Sequence, residues 1–168
     1  MELSGFQSLF DAARRYDLIA ARLSSAVAYL GTTGETPDWK SALALRQDVF
    51  VAIESSGDGK QTESRAKALN EATAKVEAMP ATLAPELVKK LDGEIAAARV
   101  APPLSATRTA ALDKLEKQVT DLKAVQPPTA DTVAEAMRVP DELARLSGLE
   151  STATRQAMCR SSWGLTAA

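Results

Sequence analysis

The stretch FQSLFDAARRYDLIAARLSSAVAYL, residues 6–30, decides the fold. Read as heptads, it repeats apolar side chains at three adjacent positions: Phe6, Ala13, Ala20 and Val27 at a; Leu9, Tyr16, Leu23 and Leu30 at d; Ala12, Ile19 and Ala26 at g. An apolar face of this length predicts a long amphipathic helix. Phe10, Leu18 and Tyr29 fall outside that face. We therefore expect the helix to contact more than one neighbour, in this chain or in another.

Glycine and proline divide the rest of the chain into further helical segments. Thr36 and Pro37 predict a helix start, because a threonine N-cap and a proline at the first helical position suit the unpaired N–H groups there. We expect helices at 37–55, 62–79 and 85–99, another after Ser105, and short helices at 131–138 and 141–146, followed by Gly148. Spacing also gives the inward faces of three of them: Trp39, Leu43, Arg46, Phe50 and Ile53 in the helix at 37–55; Ala66, Leu69, Thr73, Val76 and Met79 in the next; and Leu112, Leu115, Val119 and Leu122 in the helix after Ser105. The fold class is all-α, a bundle of about six to eight helices built from up-and-down hairpins and elongated in its second half.

The composition excludes several classes of site. Alanine accounts for 32 of 168 residues, which favours helix over sheet. Histidine is absent and Cys159 is the one cysteine. A zinc finger, a haem-binding histidine, a Ser-His-Asp triad and a disulfide within the chain are therefore excluded.

The aromatic residues are unevenly distributed. Six of the seven lie within the first 50 residues, and large rings dominate cores and interfaces. We expect one helical domain, 1–168, with a soft division near residue 80. Residues 1–79 then form aromatic-rich hairpins, 80–150 form short helices separated by prolines, and 151–168 form a tail.

The charges are nearly balanced, with 20 basic and 22 acidic residues. Acidic residues precede basic ones by four positions in several places, a spacing that supports solvated helix faces: Glu63 and Lys67, Glu71 and Lys75, Glu86 and Lys90, Asp113 and Lys117, Asp141 and Arg145. This balance argues against nucleic-acid binding. No long apolar run indicates a membrane span, and no leader pattern is visible, so we expect a cytoplasmic protein.

Three short motifs resemble catalytic or ligand-binding patterns only in part. Ser64 and Lys67 match S-x-x-K without its companion motifs. The stretch 57–60 (GDGK) lacks the other residues of a phosphate-binding loop. Read as a calcium loop from Glu54, the same region has Arg65 where a glutamate ligand is required. We expect no catalytic, cofactor-binding or metal-binding residues, and no enzyme activity.

The leading hypothesis is a non-catalytic protein-interaction module: an adaptor, a regulatory subunit or a component of a larger assembly. Its partner is another protein chain or a second copy. The expected contact residues are apolar positions of the first two helices and of the tail: Phe10, Leu18, Tyr29, Trp39, Trp163 and Leu165. For Trp163, packing back onto the bundle is the alternative to docking in a partner.

Two alternative functions stay open at this stage. One is a self-assembling structural subunit of phage or secretion type. The other is a small helical enzyme or anion-binding bundle with an Arg-lined pocket, formed by convergence of Arg14, Arg15, Arg22, Lys40 and Arg46.

Overall fold

A computed structural model describes residues 3–55, 59–101 and 105–148. Within these ranges the chain is helical and contains no strand. The all-α prediction is therefore confirmed for this part of the chain. No helix in these ranges is long and apolar enough to cross a membrane.

The helices follow one another through short connections. They are α1 (Leu3–Leu30), α2 (Pro37–Ser55), α3 (Gly59–Ala78), α4 (Pro80–Val100), α5 (Ala106–Ala124) and α6 (Ala130–Ala136), with a 3₁₀ turn at Gly31–Thr33. After Met137 the chain is helical again over residues 138–148, which we call segment 138–148. Gly148, expected just beyond a helix, lies within this segment. Five of the described helices have 19 residues or more, whereas α6 has seven. The predicted bundle of six to eight helices is therefore not confirmed.

Helix α1 is the element around which the others pack. It contacts α2, α3, α4 and α6. Its buried side chains follow the predicted heptad face: Leu9, Ala12, Ala13, Tyr16, Leu23, Ala26 and Val27. Because this face is buried within the chain, it is not available to a second copy. A coiled coil formed along the heptads of α1 is therefore not supported.

Ion pairs and close contacts give the helix directions in the first half. Asp17 of α1 accepts hydrogen bonds from Arg46 of α2 at 2.9 and 2.8 Å, and Gly34 lies against Val27. Helices α1 and α2 are thus antiparallel. Arg15 donates to Glu77 near the end of α3 at 2.9 and 2.6 Å, and Ser8, earlier in α1, lies beside Glu63 and Lys67, earlier in α3. Helix α3 is therefore parallel to α1.

The junction of α3 and α4 differs from the prediction. The prolines predicted a break at Pro80 and a new helix at Pro85, but α4 begins at Pro80 and continues through Pro85. Met79 keeps helical angles (φ −59°, ψ −30°), and Pro80 at the first position has no N–H to leave unpaired. The carbonyl that Pro85 cannot bond belongs to Ala81, on an exposed turn. The chain therefore continues helically with only a brief interruption.

In the second half, ion pairs between neighbouring helices again give the helix directions. Arg99 of α4 donates to Asp113 and Glu116 of α5 at 2.7 and 2.5 Å, and Lys123 pairs with Asp92 at 2.8 Å. Helices α4 and α5 are antiparallel. The hydrophobic core is one continuous cluster that includes residues of both halves. The proposed division near residue 80 stays a prediction.

The inward face of α2 is partly different from the expected one. Leu43, expected to point inward, is 39% exposed, whereas Ala42 is fully buried. Trp39 and Val49 share the buried stripe with Ala42, and a small alanine at its centre lets neighbouring helices approach closely. The side chains of Phe50 and Ile53, also expected inward, lie outside the described residues.

Candidate interaction surfaces

Two large apolar side chains project from the outer side of α1. Phe10 is 53% exposed and Leu18 is 56% exposed. Both occupy heptad positions outside the buried face, and the exposed Arg14 lies between them along the helix. We call Phe10, Arg14 and Leu18 the α1 ridge. The sequence placed both residues outside the heptad face, where a neighbour in this chain or in another was expected, and no helix of the described part of this chain covers them.

The other expected contact residues do not join the α1 ridge. Trp39 is buried, and its ring centroid lies 6.4 Å from that of Tyr16. Its backbone N–H donates to the Thr36 hydroxyl at 3.2 Å, as the predicted N-cap requires. The interpretation of Trp39 as a surface contact is wrong, because the ring fills the core between α1 and α2. Trp163, Leu165 and Cys159 lie outside the described residues.

Tyr29 is held by α4 and is not available as a free surface ring. It is half-buried, and the Lys90 ammonium lies 3.9 Å from its ring centroid. The same ammonium donates to the Tyr29 carbonyl, in the last turn of α1. Burial raises the pKa of the Tyr29 hydroxyl, and the neighbouring Glu94 carboxylate raises it further. Tyr29 therefore helps to attach the end of α1 to α4.

Further apolar side chains are exposed that the sequence did not single out. They are Leu43, Val51, Val100 and Val125, on or beside α2, α4 and α5. The helical pattern placed Leu43 inward, so its exposure could not be read from spacing. Val100 and Val125 lie at helix ends next to proline pairs, and such positions are a weak signal of exposure.

The basic residues expected to line a pocket are mostly held in separate ion pairs. Arg15 pairs with Glu77, Arg46 with Asp17 and Lys40 with Glu35, while Arg22 reaches Asp131 at 2.8 Å. Carboxylates of different elements hold these four side chains apart. Convergence on one anion site is therefore not observed among them.

Several acidic and basic residues expected to pair along one helix pair elsewhere instead. Lys75 reaches Asp38 of α2, and Asp113 binds Arg99 of α4. The Arg145 guanidinium forms an ion pair with Glu142, three residues earlier in the chain, at 2.7 Å. A neighbouring helix offers carboxylates as close as those one turn away, so sequence spacing alone does not select the partner.

A groove runs between α5 and segment 138–148. Its volume is about 410 Å³, and its walls combine apolar and charged side chains: Ala111, Lys114, Leu115, Gln118, Arg138, Glu142, Arg145 and Leu146. We call it the basic groove. A smaller groove of about 210 Å³ adjoins it at Gln118 and carries Asp121 and Glu135. The sequence missed the basic groove because its two walls are separated by the proline pair at 127–128.

The hydroxyl of Tyr16 is buried in the core. The Tyr16 hydroxyl has no hydrogen-bond partner among the described residues. Burial raises its pKa, and the adjacent Asp17 adds to the shift, while Arg46 opposes it. A buried neutral phenol beside a tryptophan ring, with no polar partner among the described residues, is a packing element.

Within the described ranges, no group of three or more acidic or cysteine side chains is arranged to hold a metal ion. Comparison with protein-family models, with curated proteins and with solved structures yields no match.

Proposed function

We propose that this chain is a non-catalytic helical protein-interaction module that binds another protein chain through the α1 ridge. The observation that carries the proposal is the half exposure of Phe10 and Leu18 on the helix that organises the rest of the fold. Aromatic and other large side chains on a rigid helix lose little conformational freedom on binding, and aromatics are frequent at binding hot spots. An adaptor, a regulatory subunit and a component of a larger assembly all fit this surface.

The proposal extends to the properties expected from composition. The module is a cytoplasmic protein that acts without cofactor or metal and binds neither nucleic acid nor membrane. The expected bundle of about six to eight helices in up-and-down hairpins belongs to the same proposal.

The test is an affinity purification from the native host with three forms of the full chain. They are the wild type, the ridge variant Phe10→Ser/Leu18→Ser, and a control variant, Val100→Ser/Val125→Ser, which removes exposed apolar groups elsewhere. We expect a partner in stoichiometric amount with the wild type and the control, and its loss with the ridge variant. Equal recovery with all three forms, or no partner and a monomeric chain, would contradict the proposal.

The same surface also fits the second candidate, a self-assembling structural subunit. The specific observation that favours it is that Phe10 and Leu18 are exposed while the heptad face of α1 is buried, so two copies could pair through the α1 ridge with the core of each intact. Light scattering after size-exclusion chromatography distinguishes the two. A discrete multimer that the ridge variant dissociates supports self-assembly, and a monomer at all concentrations excludes it.

A further inference from the structure

The basic groove has the form of a site for a short helix. Its two walls run in opposite directions, because lower-numbered residues of α5 lie opposite higher-numbered residues of segment 138–148. Leu115 is buried at its base, and Ala111 and Leu146 are half-buried beside it. A pair of antiparallel helices with apolar residues along the seam is the shape that receives an amphipathic helix.

The charge along the rim is opposite to that of the whole chain. Three cationic side chains, Lys114, Arg138 and Arg145, lie near two carboxylates, Glu142 and Glu135, so the rim is net positive in a protein whose net charge is −2. The side chains of Arg138 and Arg145 are 75% and 62% exposed. Their ion pairs with Glu135 and Glu142 are exposed pairs of the kind that contribute little stability. Both guanidinium groups can therefore exchange these partners for the carboxylates of a ligand.

These features select one class of occupant. Guanidinium groups bind carboxylates in a bidentate geometry, and the apolar base suits leucine-like side chains. The residues 149–168 of this chain carry Arg155 and Arg160 against a single acidic side chain, Glu150, so their charge does not complement the rim. A single-stranded nucleic acid needs aromatic platforms for its bases, and the walls of the basic groove contain no aromatic residue.

We propose that the basic groove binds an acidic amphipathic helix of a partner protein, with its glutamate or aspartate side chains on Lys114, Arg138 and Arg145. The apolar side chains of that helix lie on Leu115 and Leu146. This site is separate from the α1 ridge, so either surface can fail its test without the other.

The test is a peptide selection on the full chain. The library contains helical peptides of about 14 residues, or four turns, with apolar residues at i, i+3, i+4 and i+7. The flanking positions are glutamate, lysine or glutamine in equal amounts. Selection is repeated on Arg138→Glu/Arg145→Glu, on Lys114→Glu alone, and on the ridge variant Phe10→Ser/Leu18→Ser. Circular dichroism verifies that each variant remains helical.

We expect the wild type and the ridge variant to enrich glutamate over lysine by about tenfold, a preference of the size that complementary charges produce. The double charge reversal should invert the preference to lysine, and Lys114→Glu should weaken it. Inversion cannot result from a merely unfolded variant, since that would abolish selection altogether. The absence of a charge preference would overturn the proposal, as would an unchanged preference after the reversal. It would also be overturned if poly-dT bound the wild type in preference to the peptides.

Discussion

Lys90 illustrates how one side chain joins two elements at the residue scale. It donates to the Tyr29 carbonyl and lies over the Tyr29 ring. The carbonyls of a last helical turn have no partner within the helix, and a cation there also interacts favourably with the helix dipole. Lys90 therefore satisfies a carbonyl in the last turn of α1 and holds that turn against α4.

Replacement of this cation should destabilise the protein. For Lys90→Met we expect a loss of about 1–2 kcal/mol in the free energy of unfolding, because a charged hydrogen bond and a cation–π contact disappear. Chemical denaturation followed by circular dichroism measures the change. Lys89→Met, at the exposed neighbouring position, is the matched control and should change stability by less than about 0.5 kcal/mol. Equal effects of the two substitutions would contradict the role of Lys90.

Removal of the Tyr16 hydroxyl, unlike removal of the Lys90 ammonium, should not lower the free energy of unfolding. The hydroxyl is buried without a partner among the described residues, so Tyr16→Phe should leave stability unchanged or raise it by about 1 kcal/mol. A loss of stability at neutral pH would show instead that the hydroxyl is hydrogen-bonded in solution.

Tyr16→Phe should also change how steeply the free energy of unfolding falls at alkaline pH. Burial raises the pKa of Tyr16 above its ordinary value of 10.0. Above pH 10 the unfolded chain releases this proton while the folded chain retains it, so wild-type stability falls as pH rises further. Denaturation curves between about pH 9 and pH 11 should show a shallower fall for Tyr16→Phe. Identical slopes would mean that Tyr16 is not the group responsible.

At the scale of the elements, two glycines have opposite roles. A Cβ at Gly34 would lie 2.5 Å from the Val27 carbonyl oxygen and 2.8 Å from the Val27 Cα. Backbone atoms cannot yield as a flexible side chain can. Gly34 thus permits the close return of the chain from α1 into α2. Gly93, in contrast, lies on an exposed side of α4, with no atom within 4 Å of an added Cβ.

These surroundings predict effects of opposite sign. Gly34→Ala should cost about 1–3 kcal/mol, because the methyl group forces the connection after α1 to move. Gly93→Ala should stabilise the protein by about 0.5–1 kcal/mol, because alanine favours helix. Thermal and chemical denaturation of both variants provide the measurement. A stabilising Gly34→Ala would show that the return of the chain from α1 to α2 is looser than described.

At the scale of the whole molecule, α1 links the two halves. It packs along α3, contacts α4 and pairs with α6 through Arg22 and Asp131. The continuous core extends from Leu9 near one end of α1 to Val133 of α6. Because the buried apolar side chains of both halves belong to this one cluster, we expect the halves to unfold together.

The unfolding experiment uses the two tryptophans. In Trp163→Phe, Trp39 is the one remaining indole and reports on α1 and α2, whereas circular dichroism reports on all helices. We expect the two denaturation curves to coincide, as in a two-state transition. Separate midpoints would establish the division near residue 80 as a boundary between independently unfolding units.

Much of the local structure was determined by the sequence itself. The heptads of α1, the start of α2 at Thr36 and Pro37, the buried faces of α3 and α5 and the cap of α5 at Ser105 agree with the predictions. These features depend on periodicity and on residues within one or two turns. The position of Phe10 and Leu18 outside the buried face follows from the same register.

The tertiary structure alone decided what depends on distant neighbours. It exposed Leu43 in favour of Ala42 and let α4 begin at Pro80. It also exchanged expected pairs within helices for pairs between them, as at Arg99 and Asp113. It formed the basic groove from segments separated by two prolines. The physical reason is common to all of these. Local propensity fixes which residues share a face, whereas the packing of helices selects the face that is buried and the charges that meet.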